Sequence, residues 1–301
     1  MNIKFNFSEN LVKKIIGNNE NKKEYLILFN KYNDIGLEFT KITRGKNKGC
    51  YDLKYDTKNL NKTIVDTWDY EISKKVIREM FYKSKKYQRG KEADEVMEIL
   101  IKEWNRLNLG SVEWPFSQGD FDNFVQRINA ENSDGIAKDN KVKQAAVKFR
   151  RLKEINTVRN DFIETLIFEK NENILPTLNH SRGVDFYIDG ESFDQKVAKS
   201  PTNEFKKNYG DNWKEIAIQN PELVAEYLYK FQDEGRFGAD SRLLVVYLDE
   251  NLTIENIKER INSLNLENPL EISFTYSHKV SSTQKDEKRY KVRCFVILLS
   301  N

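Results

Sequence analysis

The sequence predicts an α/β protein: a mixed central sheet flanked by helices, joined to a largely helical amino-terminal region. Three observations carry this. Asp189-Gly190, set between alternating apolar residues, marks a tight hairpin. Leu243-Leu-Val-Val-Tyr247 is an uninterrupted apolar run of the kind buried on both faces of a parallel or mixed sheet. Between residues 141 and 170, Val147, Leu152, Ile155, Phe162, Ile163, Leu166 and Ile167 recur at the spacing of one long helix. The turn signal Asn132-Ser-Asp-Gly135 sets the expected division near it, with an amino-terminal region over 1–140 and a second region over 141–301.

Taken in order, residues 1–65 read as short elements. Glu24 to Phe29 and Cys50 to Tyr55 are strand-like runs, and Arg44-Gly-Lys-Asn-Lys-Gly49 is a basic turn without the spacing of a phosphate-binding P-loop. Val76, Ile77, Met80 and Phe81 mark one helix; Val96, Ile99, Leu100, Trp104 and Leu107 mark another. Phe121, Phe124, Val125 and Ile128 mark a short amphipathic one after Trp114-Pro115-Phe116. Pro176 to Arg182 is a loop into the hairpin, with His180 in it. A polar stretch then runs to Gly210. Trp213 to Phe231 is helical but split at Pro221, which suits a first helical position with Asn220 as its cap. Arg242 to Leu248 is a strand, Thr253 to Leu264 a helix, and Ile272 to Tyr276 and Tyr290 to Leu299 are further strands, with a polar loop over Val280 to Arg289.

Composition narrows the function. The chain has 301 residues, 39% hydrophobic and 32% charged, without an apolar run near the ~20 residues that span a bilayer. Its first residues lack the apolar core of a signal peptide. Cys50 and Cys294 are the only cysteines and His180 and His278 the only histidines. That excludes a disulfide scaffold and Cys- or His-rich metal centres, and a cytoplasmic protein without a membrane partner is expected. Charge is uneven: residues 1–150 hold 29 Lys/Arg against 22 Asp/Glu, and residues 151–301 hold 21 against 25. A basic half joined to an acidic one suits a protein that grips phosphates with one part and holds metal with the other. A Lys-rich solvated surface is the simpler reading of the same numbers.

The hairpin carries the chemistry. With Asp189-Gly190 as its loop, Ile188 faces Glu191, Tyr187 faces Ser192, Phe186 faces Phe193 and Asp185 faces Asp194. Alternation then puts Asp185, Asp194 and Lys196 on one face and the core residues Val184, Phe186, Ile188, Phe193 and Val197 on the other, with Gln195 toward the core. Two facing carboxylates repel unless a divalent cation or a shared proton sits between them. The competing reading is a solvent-facing hairpin in which Lys196 pairs with Asp194 or Asp189.

This arrangement resembles the PD-(D/E)XK nuclease superfamily, which includes most type II restriction endonucleases. Asp185 matches the first acid of that pattern and Asp194-Gln195-Lys196 the acid-x-Lys triplet. Val184 stands where the pattern has proline, and Asp194 where glutamate is more frequent. The resemblance covers roughly residues 145 to 250. It implies a restriction-endonuclease-like core over 141–301 and a Mg2+-dependent endonuclease. Asp185, Asp194 and the Gln195 carbonyl would hold the metal, and Lys196 would assist attack on the phosphate. It also implies a metal-contacting glutamate on the helix before the hairpin, assigned to Glu164 by its apolar neighbours. The expected partner is double-stranded DNA, bound by a homodimer matching a palindromic site, with a cognate DNA methyltransferase encoded nearby. Expected phosphate contacts are Lys83, Lys85, Lys86, Arg89 and Lys91 between two helices, Lys148 and Arg151 on the long helix, and Lys199 after the triplet. A repair or phage-defence nuclease, or an inactive nucleic-acid-binding relative, are the alternatives.

Overall fold

The computed structural model describes residues 8–41, 43, 51–53, 59–84, 93–107, 118–179, 183–198, 200–231, 240–249, 252–279 and 285–301. The amino-terminal part is helical: α1 (Glu9–Ile15), α2 (Asn19–Tyr32), α3 (Leu60–Asp66), α4 (Tyr70–Ser84), α5 (Ala93–Leu107) and α6 (Gln118–Ala130), with a small antiparallel pair of β1 (Phe39–Lys41) and β2 (Tyr51–Leu53). Helix α7 (Gly135–Lys170) is the longest element. Asp134 caps it by accepting the Ala137 N–H at 3.0 Å. The expected 140/141 division falls inside this helix.

Glu24 to Phe29 is helical, contrary to the strand expected there. Asn18 starts α2 by accepting the Asn21 N–H at 2.8 Å, and Lys22, Tyr25, Leu26 and Phe29 then fall on one buried stripe. The apolar run Tyr-Leu-Ile-Leu-Phe hid that spacing, since short apolar runs suit either element.

After α7 the chain forms β3 (Ile174–Pro176), β4 (Phe186–Ile188) and β5 (Glu191–Ala198), crosses through α8 (Asn203–Tyr209), a 3-10 turn, α9 (Trp213–Gln219) and α10 (Pro221–Phe231), and enters β6 (Arg242–Tyr247). Helix α11 (Ile254–Asn262), opened by a Thr253/Asn256 capping box, leads to β7 (Leu270–Lys279) and β8 (Lys285–Leu299). Helix α8 was not expected within the polar stretch; Thr202 nucleates it by capping the Phe205 N–H at 3.1 Å. The strand β8 begins at Lys285: Asp286 to Arg289, expected in a polar loop over Val280 to Arg289, instead complete a ladder with Thr275 to His278, and residues 280–284 lie outside the described residues. Pro221 does open α10, but the Asn220 amide donates back to the Ile216 carbonyl at 3.1 Å and so closes α9.

The six strands order as β3-β4-β5-β6-β8-β7. β5, β6 and β8 run parallel, and the other pairings are antiparallel. Helices cover both faces. On one, Phe162, Ile163, Leu166 and Ile167 of α7 join Phe81 and Leu100 over Phe186, Phe193, Leu243, Val245 and Phe295. On the other, Leu175 and Tyr187 pack among α1 to α4, while Leu244, Val246 and Cys294 pack under Phe205, Leu228 and Tyr229. Asp194 and Lys196 alternate toward this second face. Among the described residues no helix is long and apolar enough to cross a membrane.

The amino-terminal helices meet the sheet along one seam. The Leu178 N–H donates to the Ile15 carbonyl at 2.7 Å, and the Asn21 amide donates to the Leu178 carbonyl at 3.4 Å. Gly17 sits here at φ 86°, where a Cβ would lie 2.8 Å from the Asn179 Cβ. Gly17→Ala is therefore expected to destabilise the fold by about 1–2 kcal/mol from the left-handed backbone alone. A urea denaturation midpoint equal to wild type would contradict this seam.

Candidate active site

The expected hairpin forms. Asp189 and Gly190 both take positive φ, 47° and 88°, as a type I′ turn requires. The register is Ile188↔Glu191, Tyr187↔Ser192 and Phe186↔Phe193, as read from the sequence. The ladder stops there, one pair short of Asp185 and Asp194.

The reason lies in how Asp185 is held. Its N–H donates to the Phe193 carbonyl at 2.9 Å, and its own carbonyl accepts the Thr177 N–H at 3.0 Å. Its carboxylate accepts the Gln195 N–H at 2.7 Å. The side chain thus takes the place that a strand carbonyl would occupy, and β4 parts from β5 at this point. The Asp194 N–H turns the other way, to the Ser241 carbonyl at 3.1 Å. Within a strand, N–H and C=O of one residue leave on the same side. The Gln195 carbonyl therefore opens toward Asp185, at the edge that β4 has vacated.

Lys196 Nζ lies 3.2 Å from Asp194 Oδ2, with side-chain exposures of 39% and 13%. A cation reaching water thus pairs with an acid almost withdrawn from it. With the lysine end open to water, the pair adds only modest stability. The Gln195 side chain lies on the face of Phe193 and Val197, and its Oε1 is buried without a hydrogen-bond partner.

A buried charge that the sequence reading passed over completes the surroundings. Arg242 pairs in register with Asp194 on the neighbouring strand and is 3% exposed. Its guanidinium sits 5.1 Å from the Tyr229 ring centre, and the Tyr229 hydroxyl donates to the Asp240 carbonyl at 3.0 Å. Burial pushes the Tyr229 proton affinity well above its usual range. A charged first residue in an otherwise apolar strand was the available signal.

The other candidates are placed differently. Glu164 is half-buried on α7, whose apolar stripe covers the face opposite Asp194 and Lys196. Among the described residues no three His, Cys, Asp or Glu side chains gather as a metal-binding group. Lys83 pairs with Glu79 one helical turn away on α4, at 2.5 Å. Lys148 and Arg151 belong to α7, but their side chains lie outside the described residues, as do Lys85, Lys86, Arg89, Lys91, His180 and Lys199.

No protein-family model, curated protein or solved structure matches this chain.

Proposed function

We propose that the chain is a Mg2+-dependent DNA endonuclease of the restriction type. The observation that supports this best is the Asp185 carboxylate docked on the Gln195 N–H, beside the Asp194–Lys196 pair. Two carboxylates and one strand carbonyl would then be the donors at the break between β4 and β5. These are hard oxygen donors, and Mg2+ takes one or two carboxylates while keeping water and substrate phosphate in its remaining positions. Two acids would fit that ion, with Glu164 of α7 as the proposed third.

A bound Mg2+ would supply charge neutralisation at the phosphate and a more nucleophilic water. Asp185 and Asp194 would hold it, with Asp185 fixed by the hydrogen bonds to its backbone. Lys196 is a compact point charge whose stem rises from the same strand. It would hold Asp194 in place for the ion, orient the attacking water and stabilise the charge that develops on the phosphoryl oxygens. A site-specific enzyme of this kind works as a two-fold dimer on a palindrome.

Incubation of the purified protein with unmethylated plasmid and Mg2+ tests the reading. Discrete fragments are expected, and none with EDTA. Random nicking, end trimming or loss of RNA would instead support a repair or phage-defence nuclease. If neither DNA nor RNA is cut and wild type equals Lys196→Ala, the catalytic reading is wrong.

A further inference from the structure

The β7–β8 pair outruns the sheet that holds it. Strand β6 pairs with β8 from Cys294 onward, where Asp194, Arg242 and Cys294 lie in one row. The β7–β8 ladder continues past that row, from Glu271↔Arg293 to Lys279↔Lys285. At ~3.4 Å per residue this is a two-stranded ribbon of about 30 Å. One face of its base is covered: Ile272, Phe274 and Val292 are buried against α10, where the Phe274 and Tyr229 rings stack at 5.2 Å. On the other face Arg289, Lys291 and Arg293 are exposed at alternate positions of β8, with Glu271 and Glu287 as its described acids. Further along this same face, Phe295, Ile297 and Leu299 are buried beneath helices. The strand thus changes from apolar to cationic at the point where it leaves its cover.

The row of cations starts beside the candidate active site. Arg293 is ion-paired with Glu191, which also accepts the Ser241 hydroxyl at 2.8 Å. Glu191 opens β5 three residues before Asp194, about 10 Å along the strand. Lys291 Nζ lies 2.7 Å from Glu271. The Arg293 and Lys291 side chains are 50% and 69% exposed, so these pairs are weak and a phosphate can take the carboxylate's place at little cost. Charge picks out the same element. Residues 271–293 hold six Lys/Arg against three Asp/Glu, whereas residues 151–301 as a whole hold 21 against 25. A basic ribbon on an acidic region suits a polyanion. Shape selects among polyanions. The major groove of B-DNA, about 12 Å wide, admits a two-stranded ribbon, and that of an RNA helix is too narrow for side chains to read.

We propose that the β7–β8 ribbon lies in the major groove of duplex DNA beside the site of cleavage, with Arg289 and Lys291 on backbone phosphates. This rests on the nuclease reading for its ligand, but not on catalysis. The test is binding of a fluorescent DNA duplex with EDTA present, over a salt series from about 50 to 200 mM. Arg289→Gln and Lys291→Gln should each weaken binding and reduce the slope of log K against log salt by about 0.9, and the double variant by about 1.8. Both side chains are exposed, so all three variants should melt with wild type. An RNA duplex of the same sequence should compete about tenfold less well than the DNA. Unchanged binding and slope in the double variant overturn the proposal, as does a wild type that binds no duplex or one for which the RNA competes equally. A wild type that binds DNA with the expected slopes but cuts nothing leaves the ribbon contact standing and removes the catalytic reading. Cleavage that persists with the double-variant slope unchanged removes the ribbon contact alone.

Discussion

Lys196→Ala should lower single-turnover cleavage at least ~100-fold while leaving the fold almost untouched. The rate loss follows from removing a cation aimed at developing charge, a change that costs ~10²–10³ at comparable sites. The small stability effect follows from exposure. Lys196 is 39% exposed and pairs with Asp194, so its loss should change unfolding free energy by about 1 kcal/mol. Rate and melting temperature measured on the same preparations separate the two effects. A variant as active as wild type would mean that Lys196 only neutralises Asp194. A variant that fails to fold would mean that the pair is structural. Lys196→Arg is a useful companion, because a planar fork does not reproduce a point charge and should restore little activity.

The largest stability effect is expected at Phe193. It is 1% exposed and packs against Phe295 with ring centres 5.2 Å apart, beneath α7 and beside Phe186. Phe193→Ala should cost about 3–5 kcal/mol, a large share of the 5–15 kcal/mol typical of a folded chain. Urea denaturation followed by circular dichroism gives the value. A loss below about 1 kcal/mol would mean that Phe193 does not point into the core. Asp194 would then not face away from it either, and the register behind the site would be wrong.

That register was legible because it is local. Asp189-Gly190 dictates the loop, the loop dictates the pairs, and alternation assigns the faces. The apolar run at 243–247 and the α7 stripe were legible for the same reason. What escaped the sequence depended on distant partners. Asp185 leaves the ladder because Thr177 and Gln195 claim its carbonyl and carboxylate, and nothing in its own neighbourhood signals either bond. The strand expected at Glu24 to Phe29 became a helix because the cap at Asn18 and the buried lysine lie outside that short apolar run. Helix α8 was hidden by its polarity, with Phe205 as its one fully buried residue. Arg242 looked like an ordinary strand end until its neighbours across the sheet were known.

The hydrogen bonds that join Ile15 to Leu178 and Thr177 to Asp185 form a continuous linkage between the first helix and the first acid. Tyr187, next but one to Asp185, is wedged among the same helices. A displacement of α1 would therefore be delivered to Asp185 with little slack. The seating of the first helix and the alignment of the Asp185 carboxylate are mechanically coupled, so a change that loosens this helix would be felt at the acid before the sheet itself yields.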